Sequence, residues 1–171
     1  MKFFKYLAIL LALLAAGFFA IGALNPQFDY RTQVEIAKAP AAAWDTVMNI
    51  DSMSSWITGF ERMDVLSGEA GEVGTVYMLY FRENGRVMTV KETATIMEEG
   101  KRYGFDMDSE WFSGSSLITI EPVDAGSRLT IDNTVSGKGT FKRSMLFLMR
   151  STMRDRQQSD IEKLRDLIES V

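Results

Sequence analysis

The chain of 171 residues carries 19 basic and 23 acidic side chains, a net charge of −4, which argues against nucleic acid as a general partner. It contains neither cysteine nor histidine. That excludes disulfides, a conventional zinc site, a cysteine nucleophile and a histidine base, so no metal or cofactor is expected and the fold must rest on packing alone.

Behind Lys2 and Lys5, the segment Tyr6 to Leu24 runs for 19 residues without a charge and stops at Asn25-Pro26. As a helix it would be about 28 Å long, close to the thickness of a bilayer's hydrocarbon core. Residues 1–24 are therefore expected to form a retained transmembrane anchor ahead of one domain over residues 25–171. The basic residues before the run place the N-terminus in the cytoplasm and the domain outside it. The same residues also fit a secretory signal cleaved near Gly22, because Ala20-Ile21-Gly22 offers small residues after a basic start. That alternative yields a secreted or periplasmic domain.

The exported part opens with an alternating strand from Phe28 to Ala37. Pro40 starts a helix that ends near Asn49 to Asp51, and a short helix or turn follows through Trp56. Six further strands are expected: Phe60 to Leu66, Thr75 to Arg82, Arg86 to Met97, Arg102 to Ser109, Gly114 to Val123 and Ser127 to Ser136. Tight turns separate nearly every pair, Asn84-Gly85 giving the strongest hairpin signal. The chain closes with one long helix from about Phe141 to Ser170, striped by Leu146, Met149, Met153, Gln157, Ile161, Leu164 and Ile168. The expected fold is α+β: a curved seven-stranded antiparallel sheet wrapped around a long C-terminal helix and preceded by a transmembrane helix.

Several pieces in order resemble the START-like, or SRPBCC, superfamily of polyketide cyclases and lipid-transport proteins with its helix-grip fold. They are VEIAKAPAAAWDTVMNIDSMSSWITGFERMDVL from Val34, GEVGTVYMLYF from Gly71, ITIEPVDAGSRLTI from Ile118, and the amphipathic last helix. The resemblance implies an elongated pocket between sheet and last helix for a lipid, sterol, polyketide or similar apolar molecule.

Against that frame, strand alternation with Ile96, Ile120 and Ile131 inward brings Met88, Val90, Glu92 and Ala94 to the pocket, with Tyr103, Phe105 and Met107 on the next strand. Ile118 and Ile131 follow on the sixth and seventh strands, and Met149 and Met153 on the last helix. Glu92 and Asn133 are the polar exceptions on these faces, able to orient a ligand's polar end or to be satisfied structurally. A basic stripe of Arg143, Arg150 and Arg154 beside apolar Met145 to Met149 suits a rim facing anionic lipid, or an ordinary solvated face. Two functional classes remain. A carrier or sensor for a hydrophobic molecule at the membrane is favoured; an enzyme of the cyclase/dehydratase type, with Glu92 as acid or base, is the alternative, and a ligand-free interaction module is a third.

Overall fold

The computed structural model describes residues 2–170. Helix α1, Lys2–Leu24, is a single apolar helix with only Gly22 buried, long enough to cross a membrane. It ends where the Asn25 amide donates to the Ile21 carbonyl at 2.9 Å and Pro26 blocks continuation. Strand β1, Phe28–Ile36, leads into α2, Pro40–Met48, with proline at its first turn. Asn49 then separates two helices, accepting from the Asp51 N–H to cap α3, Ile50–Trp56.

The sheet follows as β2 (Phe60–Ser67), β3 (Val76–Glu83), β4 (Arg86–Glu98), β5 (Arg102–Ser109), β6 (Phe112–Val123) and β7 (Gly126–Gly137). The spatial order is β1-β7-β6-β5-β4-β3-β2, all antiparallel. Helices α2 and α3 therefore carry the chain from one sheet edge to the other, and the meander returns to close beside β1. At the β3–β4 turn Asn84 and Gly85 both take positive φ, 49° and 77°, as the Asn-Gly pair foretells.

The expected single C-terminal helix is two: α4, Thr140–Leu148, and α5, Arg150–Glu169. The break falls at Met149, with φ −90° and ψ 1°, although its N–H still donates to Met145 and Leu146. The two helices serve different surfaces. Helix α4 lies against α1 and the end of β7, whereas α5 lies against β1, α2 and α3. Close approach to β7 is possible because Gly137 has no side chain; a Cβ there would meet the α4 backbone at Lys142 and Arg143.

The tightest packing gathers at the C-terminal half of α5, where Ile161, Leu164 and Ile168 meet Ile36, Val47 and Leu129, all at most 3 % exposed. Beyond Ile161 towards the start of α5 the sheet and helix diverge. The register of β4 carries one correction. An irregularity between Ala94 and Ile96 leaves Ile96 opposite Gly104 and Met97 opposite Tyr103. Ile96 therefore covers Gly104 and Met97 shares the inner face, so the phase expected from Ile96 fails while the inward set from Val90 to Ala94 stands.

Candidate functional site

Where the sheet and α5 diverge they enclose, with α2 and α3, a cavity of about 840 Å³. Met88, Val90, Glu92, Tyr103, Phe105, Met107, Ile118 and Ile131 all lie on its wall, brought together by the inner faces of β4 to β7. The rest of the wall lies outside the expected set, Trp44 reading from the sequence as a packing anchor and Trp56 as core before pocket. The apolar sides of α2 and α3 supply Trp44, Val47, Ile50, Met53 and Trp56; β2 and β3 add Met63, Leu79 and Phe81. The spacing of Trp44, Val47 and Met48 is a helical face that could have pointed to it.

Three expected residues sit elsewhere. Met149, 45 % exposed, lies at the α4–α5 break, and Met153 is half-buried off the cavity wall. The break ends the continuous stripe that placed them inward. The helical wall is instead polar, formed by Arg156, Gln157 and Asp160. Asn133 is buried behind that wall with its bonds made: it accepts from the Ser116 hydroxyl at 3.0 Å and donates to Gln157 Oε1 at 2.8 Å, where Thr32 also donates at 2.9 Å. This cluster ties α5 to β1, β6 and β7, and only Ser116 and Gln157 of it reach the cavity.

Inside, Glu92 is 6 % exposed and accepts a 2.5 Å hydrogen bond from the Tyr103 hydroxyl. Burial lifts its pKa to about 7, and the Tyr103 hydrogen bond opposes part of that rise. Burial, then the neighbouring Glu92 charge, drives the Tyr103 phenol up in turn, so it stays a proton donor at neutral pH. Tyr77, directly across β3 from Glu92, accepts from the Gly71 N–H at 3.0 Å and so fastens the β2–β3 loop to the wall. Near neutral pH Glu92 can therefore accept a hydrogen bond, donate one, or exchange a proton with a cavity occupant.

Exposed residues also border the cavity. Among them are Met88 on the β3–β4 hairpin and an ion pair of Arg156 and Glu83 at 2.7 Å, with Arg156 also donating to the Thr58 carbonyl. Ala70, Gly71 and Glu99 are others. Among the described residues no group of three acidic side chains is gathered to hold a metal ion.

Solved structures share this fold at low identity. The Zhui aromatase/cyclase from Streptomyces sp. R1128 superposes with a TM-score of 0.70 at 11% identity, covering 84% of this chain and 94% of that one. Ara h 8.0201 gives 0.69 at 17% identity over 85% and 99%. A Chromobacterium violaceum protein gives 0.66 at 16% identity over 82% and 96%. No curated protein matches the sequence. Residues 27–169 match the family model described as polyketide cyclase / dehydrase and lipid transport, and the chain belongs to that family.

Proposed function

We propose that this protein is a membrane-anchored carrier that holds a hydrophobic small molecule, a lipid, polyketide or similar, between its sheet and α5. The observation carrying the reading is the cavity itself: about 840 Å³ lined mainly by aliphatic, aromatic and methionine side chains. That volume lies within the roughly 300–1,000 Å³ of small-molecule sites, and methionines adapt to apolar ligands of varied shape. An unfilled interior of this size also favours a bound molecule over a self-filled interaction module. Met88, Val90, Phe105, Met107, Ile118 and Ile131 supply apolar contact, and Glu92 with Tyr103 supplies the polar point that orients the ligand. Helix α1 holds the domain at the bilayer from which such a molecule would come, with its N-terminus in the cytoplasm.

The test is direct. Full-length protein purified from its membranes is extracted with organic solvent and the extract analysed by mass spectrometry. A stoichiometric lipophilic molecule supports the carrier; an empty extract together with no uptake of lipophilic fluorescent probes rejects it. Intact mass of the same sample separates a retained α1 from cleavage near Gly22.

One observation favours a second reading. A carboxyl titrating at about 7 beside a phenol, in an apolar cavity, is poised for acid–base chemistry of the cyclase/dehydratase type. Glu92→Gln separates the two: an enzyme loses turnover and keeps affinity, whereas a carrier changes affinity or nothing.

A further inference from the structure

Helix α4 is joined to α1 by a contact that a flexible tether would not need. The Ser144 side chain, fully buried, enters the backbone ladder of α1: the Gly22 N–H donates to its hydroxyl at 3.0 Å, and that hydroxyl reaches the Phe18 carbonyl at 2.6 Å. Gly22 is the one buried residue of α1, and a Cβ there would meet the Thr140 carbonyl, the Ser144 hydroxyl and the Ser144 nitrogen. Only glycine fits. Phe18 and Phe141 add a ring contact at 5.5 Å. Small residues at a crossing and a hydroxyl bonded across it are what associates helices in lipid.

The rest of α4 leaves apolar surface uncovered. Phe141 is 51 %, Leu148 52 % and Met149 just beyond it 45 % exposed, and Phe141 meets Phe18 of the bare apolar α1. Basic side chains border this surface: Arg150 and Arg154 are exposed, Arg150 donating to the Phe147 carbonyl at 2.8 Å and Arg154 pairing with Asp155 at 3.0 Å, while half-buried Arg143 donates to the Gly137 carbonyl. If the apolar run of α1 spans the bilayer up to Leu24, Gly22 and Phe18 lie about 3 and 9 Å below its outer boundary at 1.5 Å per residue. The middle of that stretch lies about 6 Å down, within the roughly 5–10 Å at which amphipathic helices lie in an interface.

We infer that α4 is a membrane-interface helix, seated on α1 through Gly22 and Ser144 and contributing Phe141, Leu148 and Met149 to the outer leaflet's interface. The inference rests on the anchoring part of the reading above. Its consequence is a fixed orientation of the domain, with the start of α5 held near the bilayer.

The cysteine-free chain allows a clean test. Full-length Leu148→Cys and Met149→Cys proteins, each carrying a fluorescent label, are placed in phosphatidylcholine–phosphatidylglycerol vesicles containing lipids brominated along the acyl chain. Asp124→Cys, on the β6–β7 turn, is the control. Quenching of at least twofold at positions 148 and 149, with none at 124, is expected. Adding Gly22→Leu should halve the quenching at 148 while the protein stays in the vesicles. Unquenched labels on protein of intact mass overturn the inference, as does cleavage near Gly22, or quenching replaced by disulfide-linked dimers of Leu148→Cys, which would mean that a second copy covers α4. An empty solvent extract would reject the carrier and leave the quenching result standing.

Discussion

Tyr103 on β5 and Glu92 on β4 are joined by a 2.5 Å hydrogen bond across the inner face of the sheet, in the middle of a wall that is otherwise largely apolar. The two are not direct cross-strand partners: Glu92 pairs with Met107 and Tyr103 with Met97. The long phenol leans along the sheet to reach the carboxyl. A buried carboxyl with one donor is only partly compensated, which is why it holds its proton to about pH 7.

Stability should therefore depend on pH through Glu92. Below pH 4.5 this side chain is protonated in both folded and unfolded chains and contributes no difference. Between 4.5 and about 7 the unfolded chain ionises first, so this contribution to stability falls, and above 7 the loss is complete at about 3 kcal/mol. Glu92→Gln keeps an acceptor for Tyr103 and cannot ionise. Relative to wild type it should gain steadily from pH 4.5 to 7 and then level off, as read by thermal unfolding in mild detergent. A constant difference across that range would show that Glu92 titrates normally.

The strands, their turns and most of the inner wall could be read from period-2 alternation, because each of β4 to β7 buries one face and leaves the other in water. Three features could not. The irregularity at Thr95 changes which of Ile96 and Met97 faces inward, and both are equally apolar, so the pattern holds no trace of it. The break at Met149 has neither proline nor glycine to announce it; it separates α4, which packs on the remote α1, from α5, which packs on β1, α2 and α3. Asn133 stood on the right face, but only the fold reveals Ser116 and Gln157 as its partners.

Two substitutions on β7 should separate cavity from core. Ile131 borders the cavity, whereas Leu129, two residues earlier on the same face, is 0% exposed against the packed half of α5. Ile131→Phe has room to turn into the cavity, so it should lower uptake of a lipophilic fluorescent probe severalfold while changing stability by less than about 1 kcal/mol. Leu129→Phe has none and should cost about 1–3 kcal/mol through overpacking. Equal effects on stability would mean that the cavity collapses in solution.

The Arg156–Glu83 pair should govern exchange more than stability. Both side chains are substantially exposed, so the pair contributes about 0.2–1 kcal/mol. It nevertheless links the β3–β4 hairpin to α5 at the cavity rim. Glu83→Ala should speed probe release by up to about fivefold, the rate equivalent of the upper end of that energy, and high salt should reproduce the effect in wild type. Release insensitive to both would place the route elsewhere on the cavity's border, such as beside Gly71.

Asp160 offers the most demanding check on how α5 is held over the cavity. It is 8 % exposed, and its carboxylate accepts from the Thr58 hydroxyl at 2.5 Å, the Thr58 N–H at 3.2 Å and Lys163 at 2.9 Å. Three donors on one charge satisfy it without a place in the ligand site, although it borders the cavity. Asp160→Ala leaves the Thr58 N–H unpaired at the corner between α3 and β2, and should destabilise the fold by about 2–4 kcal/mol. Because Trp56 and Ile57 of that corner line the cavity, the damage should extend to binding. Amide exchange at Ile57 to Phe60 should accelerate, and probe release with it. Thr58→Ala should reproduce part of both effects and add little to Asp160→Ala, since the two residues act through one contact. Fully additive losses would show instead that Asp160 acts apart from Thr58, through its pair with Lys163 within α5.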